Sequence, residues 1–311
     1  LLFADLLFYA IIIFYSNKRG GTMSSIWVDL MGVEYKQTYY NAGGYRTRAV
    51  EAGSGEPLIL LHGTGGHAEA YVRNLESHAK HFHVYAIDML GHGYTDRPDI
   101  DYDINVWVDH LISFIDAIGA DQVYLSGESL GSMVSAWTCI RFPERIKKVV
   151  LNTGILMRPN DQGIQEIKDV MERSAKAAGG LTKEAVRTRL AWLMAEPEKT
   201  VTDELVDVRY EIYSQPGMAP IMGKIAMSVL GGIVNPAWCE QWVNPELMRR
   251  ITCPAQVLWT KYNPGQPSSL AKQALDYLPN GEFVELQESA HWPQWEEPEA
   301  FDKVHLEFLL R

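Results

Sequence analysis

The chain reads as an α/β protein: a mostly parallel, doubly wound sheet with a helical lid inserted late in the sequence. Three observations predict this. Short apolar runs without alternation recur along the chain, and such runs suit strands covered on both faces. Segments of helix length lie between them, with apolar residues at helical spacing, which is the rhythm of βαβ units. That rhythm stops between about residues 155 and 247, where amphipathic helical stretches carry no strand signal. A chain of 311 residues, 47% hydrophobic, is large enough to bury a sizeable core.

The elements follow in order. Leu1 to Tyr15 is apolar apart from Asp5, and Asn17-Lys18-Arg19 follow. This run is short of the roughly 20 residues that span a bilayer, and it lacks the basic start and small-residue cleavage site of a signal peptide. A membrane anchor is one reading. The favoured one is that residues 1–22 are leader or cloning-derived sequence, because the first Met is Met23 and Lys18-Arg19-Gly20-Gly21 is what a purine-rich ribosome-binding site would encode. Met23 to Met31 reads as a helical lead-in. Tyr39–Tyr40 and Tyr45–Ala52 read as strands joined by the turn Asn41-Ala42-Gly43-Gly44. The buried-strand runs are Pro57–Leu61, Val84–Ile87, Val123–Ser126, Val149–Leu151, Ala255–Trp259 and a last one at Phe283–Leu286. Helices are expected over Ile104–Ile118, ended by Gly119, and over Leu130–Phe142, closed by Pro143. Lys183–Met194 and Asp203–Tyr213 are helical stretches of the insertion. The expected organisation is a core of residues 23–154 and 248–311 with a lid over 155–247.

With 28 basic and 39 acidic residues and a formal charge of −11, the chain is not a broad electrostatic binder of nucleic acid. Three cysteines do not make a disulfide framework. A cytoplasmic location is the expectation, with no membrane partner unless residues 1–22 are native.

Gly127-Glu128-Ser129-Leu130-Gly131 fits G-x-S-x-G between a buried strand and a helix, the context in which such a match carries meaning. The tight turn needs small residues around the serine and places its hydroxyl at the tip of the sheet. Backbone N–H groups at the helix start, Leu130 first, suit an oxyanion. His62-Gly63-Thr64-Gly65-Gly66 follows another strand and would supply a second oxyanion N–H from Thr64 or Gly65. It is not a phosphate loop, since it has no Lys and the wrong glycine spacing. Ser289-Ala290-His291-Trp292-Pro293 lies beyond the last strand, and His291 is placed to act as the base for Ser129 in the chain order Ser…acid…His. Asp88 is expected to hold its loop, His92 to line the entrance, and His78, His81 and His83 to lie at the surface.

Taken together, His62-Gly63, Asp88…Gly91-His92-Gly93, the serine elbow and the late histidine resemble the α/β-hydrolase fold over nearly all of Tyr39–Arg311. Within it, the likeness is to the meta-cleavage product hydrolases, which cleave a C–C bond in 2-hydroxy-6-oxo-hexa-2,4-dienoate compounds. Two features carry the narrower likeness: Trp292 directly after His291, and the lid run Val201–Tyr210. The resemblance implies that Arg209 holds the carboxylate of the substrate's dienoate end, that Gly65 and Trp292 contact substrate, and that Thr64 and Leu130 N–H groups stabilise the oxyanion. It also implies that the dienol ketonises with help from the histidine before water or the serine attacks the C6 carbonyl.

Two positions depart from that pattern. Asn263, in Trp259-Thr260-Lys261-Tyr262-Asn263-Pro264, stands where a triad Asp is expected. An amide orients an imidazole but does not stabilise an imidazolium by charge, and in a protease triad the matching change costs about 10⁴ in turnover. Either Asn263 orients His291, another carboxylate serves, or the protein is slow or inactive. Glu128 precedes the nucleophile where the relatives carry Asn. A carboxylate there repels an anionic substrate unless burial raises its pKa. The expected activity is therefore serine-dependent hydrolysis of a ring-fission dienoate. The rivals are a carboxylesterase or lactonase, and a ligand-binding protein on a hydrolase scaffold. The partner is a small molecule, with a homo-oligomer left open, and no metal, nucleotide or flavin is implied.

Overall fold

A computed structural model describes residues 25–176 and 180–311. The leader expectation over residues 1–22 lies outside them. Eight strands form one sheet in the order β1-β2-β4-β3-β5-β6-β7-β8. They are β1 (Tyr35–Ala42), β2 (Tyr45–Ala52), β3 (Pro57–Leu61), β4 (His83–Ile87), β5 (Val123–Glu128), β6 (Ile146–Asn152), β7 (Ala255–Thr260) and β8 (Gly281–Leu286). β1 and β2 make an antiparallel hairpin, β2 pairs antiparallel with β4, and every pair from β4 to β8 is parallel.

The lack of alternation in the central runs has a direct cause. Along β3, Ile59 and Leu61 pack into one apolar cluster while Leu58 and Leu60 pack into another on the opposite face. Successive side chains point to opposite faces of a strand, so a sheet covered on both sides needs apolar residues at every position. One face is covered by the helices Ile104–Ala117 and Leu130–Arg141, with Trp107, Phe114 and Cys139 buried against Leu151 and Trp259. The other is covered by the helix Pro298–Leu310 and the turns at Ala68–Ala79, with Tyr71 and Phe301 buried against Leu58 and Leu258.

The helix Ile104–Ala117 starts where Asp103 accepts from the Val106 N–H at 3.0 Å and stops ahead of Gly119, at φ +71°. Gly119 is the stop the sequence predicted, and the Asp103 cap is a further local signal. The hairpin strand β1 is longer than its apolar pattern implied. It starts at Tyr35 because it pairs residue for residue with β2, and an edge strand needs no apolar alternation to be held by its neighbour.

Between β6 and β7 the regular structure of the described residues is helical. The longer helices are Asp161–Lys176, Lys183–Ala191, Asp203–Tyr213 and Met218–Ile233. They lie over the carboxyl ends of the parallel strands. Tyr213 Oη donates to Gly65 O at 2.8 Å, the His291 N–H donates to Leu193 O at 2.8 Å, and the Gly265 N–H donates to Glu166 Oε2 at 2.7 Å. Among the described residues no single helix is long and apolar enough to cross a membrane.

Candidate active site

The site is built first by the turn after β5. Ser129 has φ 54° and ψ −115°, a conformation that is strained for a residue with a Cβ. The flanking glycines make the turn possible. A Cβ on Gly127 would stand 2.1 Å from Gly131 O, and one on Gly131 would stand 2.4 Å from Leu61 O. The Ser129 N–H is tied to Asn152 O of β6 at 3.0 Å. The helix Leu130–Arg141 begins at the next residue, and its first N–H groups have no acceptor within the helix.

The loop after β3 forms the second wall. His62 is fully buried. Its Nε2 accepts from the Met89 N–H at 3.1 Å, so its Nδ1 carries the proton and donates to Gly63 O at 2.8 Å. Burial holds its pKa down to about 3, which keeps the ring neutral and this bonding pattern intact. The Gly66 N–H closes a turn on Gly63 O at 2.9 Å, with Thr64 and Gly65 at its tip. Asp88 gathers the neighbouring loop: its carboxylate accepts from Ala68 N–H, Tyr94 N–H and Arg48 Nη1.

The loop after β8 carries His291. Its Nδ1 is 2.6 Å from Asn263 Oδ1, while Asn263 Nδ2 donates to Gln266 O at 3.2 Å. The amide is thereby oriented with its oxygen toward the ring, so Nδ1 bears the hydrogen and Nε2 is the free base. Burial first, and the Arg189 guanidinium second, hold the His291 pKa down to about 3.

Glu128 faces the same ring. Its Oε2 accepts from the Gly63 N–H at 2.7 Å, and its Oε1 stands 3.2 Å from His291 Nε2. Burial pushes its pKa up to about 8. The local geometry argues the same way: with Nδ1 protonated, Nε2 presents a lone pair, and a carboxyl O–H suits that lone pair where a bare carboxylate would repel it. At neutral pH the two groups are an uncharged acid beside an uncharged base.

Ser129, Glu128, His291, Trp292, Thr64 and Leu130 line one cavity beneath the lid. Asn263 stands behind His291, not on the cavity wall. Gly65 faces a second, adjoining chamber. Arg209 is buried on the lid helix Asp203–Tyr213, its guanidinium 4.8 Å from the Trp292 ring, with Nε and Nη2 lacking hydrogen-bond partners. It lines neither of these two cavities. Arg189, which drew no attention in the sequence, lines both. The only local sign was a basic residue two positions after Arg187 on an amphipathic helix, and that spacing does not say which of the two faces inward.

Two expectations are corrected. His92 is not at the entrance: it is fully buried, 4.9 Å from the His62 ring, with Nδ1 on Leu90 O. The tight Asp88–Gly93 turn folds it back under the loop. His78 is not at the surface: it is fully buried, with Nε2 2.9 Å from His305 Nδ1. The helix Pro298–Leu310, distant in sequence, covers it. His81 is exposed, and His83 meets Glu51 at 2.7 Å. Cys139 and Cys253 are free thiols whose sulfurs lie 3.9 Å apart, away from this cavity.

Comparison with known proteins adds the following. A family model described as the alpha/beta hydrolase fold matches residues 56–298. The chain is 27% identical over 287 residues to a 2-hydroxy-6-oxo-6-(2'-aminophenyl)hexa-2,4-dienoic acid hydrolase of Metapseudomonas resinovorans, covering 89% of this chain and 92% of that protein. It is 27% identical over 279 residues to a 2-hydroxymuconate semialdehyde hydrolase of Pseudomonas sp. (strain CF600), covering 86% and 92%. A solved meta-cleavage product hydrolase from Pseudomonas fluorescens IP01 superposes with a TM-score of 0.72 at 25% identity, covering 88% of this chain and 97% of that one.

Proposed function

Because this chain belongs to the alpha/beta hydrolase fold family, we propose that it is a serine-dependent hydrolase that cleaves a C–C bond in a 2-hydroxy-6-oxo-dienoate ring-fission product. The observation that carries the reading is the convergence of Ser129, the Asn263-oriented His291 and the proton-bearing Glu128 on one lidded cavity. The relatives named above act on compounds of this class, which supports the choice of substrate.

The chemistry divides between two groups whose surroundings push their pKa values apart, a common way of assigning acid and base. His291 Nε2, kept neutral, takes the proton from Ser129 Oγ, or from a water, as that oxygen adds to the C6 carbonyl. The Thr64 and Leu130 N–H groups receive the negative charge on the carbonyl oxygen. As the carbonyl re-forms, the C5–C6 bond breaks with its electron pair going to C5, and the proton that His291 Nε2 took up is delivered to that carbon. An attack by serine leaves an acyl-serine, which water then hydrolyses by the same route. Asn263 takes no proton; it fixes the tautomer. Glu128, neutral at pH 7, does not repel the incoming anion.

The test pairs a yellow ring-fission dienoate with p-nitrophenyl acetate. Wild type is expected to bleach the dienoate, and Ser129→Ala to lose at least about a hundredfold in kcat/KM. Ester turnover without dienoate bleaching moves the reading to a carboxylesterase. Failure of an organophosphate probe to label Ser129, with neither substrate consumed, moves it to a binding protein.

A further inference from the structure

Among the described residues, only Ser129 and Thr153 hold a positive φ without being glycine, at 54° and 43°. Ser129 owes its conformation to the nucleophile turn. Thr153, the residue after β6, has no part in the chemistry above. Its side chain branches at Cβ, which makes a positive φ costlier than for most residues. Glycine or asparagine would adopt it with less strain. Strain of this kind persists where the surroundings over-determine it, and it gathers at functional sites.

The contacts of Thr153 show what holds it there. It is buried, its N–H donates to Leu258 O of β7 at 3.0 Å, and its hydroxyl donates to His291 O at 2.9 Å. The residue before it, Asn152, accepts the Ser129 N–H on its carbonyl at 3.0 Å and donates from Nδ2 to Gln294 Oε1 at 3.0 Å. The residue after it, Gly154, lies against the start of the helix Leu130–Arg141: a Cβ there would stand 2.3 Å from Ser132 Oγ and 3.1 Å from Ser129 O. Asn152-Thr153-Gly154 therefore touches the serine turn on one side and the histidine loop on the other. In that loop the Thr260 hydroxyl donates to Ala290 O, and the His291 N–H donates to Leu193 O of the lid. The backbone of His291 thus hangs from the lid by its N–H and from the core by its carbonyl, through Thr153.

We propose that Thr153 is a positioning residue for the reaction: its hydroxyl, aimed by the strained backbone, fixes where the His291 ring sits relative to Ser129. The proposal rests on the hydrolase reading and adds to it a residue that touches no reacting atom. Proton transfer from the serine hydroxyl to the imidazole needs hydrogen-bond reach. A ring displaced by a fraction of that reach loses rate, while the cavity walls that hold the substrate stay as they are. The effect therefore belongs in kcat and not in KM.

Three variants separate the hydroxyl from the fold, each read for kcat, KM and Tm on whichever of the dienoate and p-nitrophenyl acetate wild type consumes. Thr153→Val keeps the branched shape and loses the hydroxyl. Thr153→Gly loses the hydroxyl and relieves the backbone. Thr153→Ser keeps the hydroxyl. Thr153→Val and Thr153→Gly are expected to lower kcat about tenfold or more with KM within about twofold, and Thr153→Ser to stay within about threefold of wild type. Thr153→Gly should hold Tm within about 3 °C of wild type, because relief of strain offsets the lost contact. Wild-type kcat in Thr153→Gly, a Thr153→Ser as slow as Thr153→Val, or a kcat that falls only in step with Tm overturns the proposal. A second readout needs no turnover: the NMR signal of the His291 Nδ1–H bonded to Asn263 Oδ1 should persist in Thr153→Ser and shift or broaden in Thr153→Gly. If wild type consumes neither substrate, the hydrolase reading fails, and this signal still decides whether Thr153 seats the ring. An unshifted signal in Thr153→Gly overturns the proposal.

Discussion

Glu128 and Asn263 exchange the roles that a serine triad usually assigns. The residue behind the imidazole is an amide that fixes Nδ1–H, and the carboxyl is on the other side, 3.2 Å from Nε2. A pH profile separates the two. Glu128 holds its proton up to about pH 8, so kcat/KM in wild type should fall above that point, as a carboxylate forms in the cavity and repels the dienoate substrate of the proposed reaction. Glu128→Gln should remove that alkaline limb. His291 stays neutral down to about pH 3. Asn263→Asp places a charge beside Nδ1, favours the imidazolium and should move the acid limb upward. An unchanged alkaline limb in Glu128→Gln, or an unmoved acid limb in Asn263→Asp, would remove these assignments.

The lid helix Asp203–Tyr213 joins local sequence to the site. Thr202 caps it, its hydroxyl accepting from the Leu205 N–H at 3.1 Å, and its last residue, Tyr213, donates to Gly65 O at 2.8 Å. That bond ties the lid to the loop bearing Thr64, and Gly65 holds φ +71° there. Tyr213→Phe removes it and leaves the ring. One such bond contributes about 1 kcal/mol, so kcat/KM should fall roughly fivefold, with faster amide exchange over Asp203–Tyr213. A variant with wild-type kcat/KM and exchange would show that the bond does not couple lid to loop. The bounds of this helix were legible, because the Thr cap and the apolar spacing are both local signals. The inward turn of Arg189 on the preceding helix was not.

Across the whole molecule, buried neutral histidines set the response to acid. Burial lowers His62, His92 and His291 to about 3 and His78 and His110 to about 4, and His305 lies well below its ordinary value. The unfolded chain takes up these protons near pH 6.5 while the folded chain does not. Stability is therefore present above that point and is lost as pH falls toward 4, by about 1.4 kcal/mol per pH unit for each group. Glu128 and Asp302, raised to about 8 and about 6, act in the opposite sense but are fewer. Thermal unfolding followed from pH 7.5 to 4.5 should show a steep drop in Tm below about pH 6. A flat profile would mean that these rings are protonated in the folded chain.

The sheet and its order of crossing elements were readable from the chain because strand burial, helix spacing, caps and the Gly-x-Ser-x-Gly turn are each written within a few neighbouring residues. That Ser129 and a late histidine share one cavity was likewise readable, as an expectation of chain order. Which carboxyl meets His291, which arginine reaches the cavity, and why His78 and His92 are buried depended on contacts between segments far apart in the chain. Such contacts leave no local periodicity. Desolvation, which raises the Glu128 pKa and lowers that of His291, exists only once the lid and the sheet have closed around them.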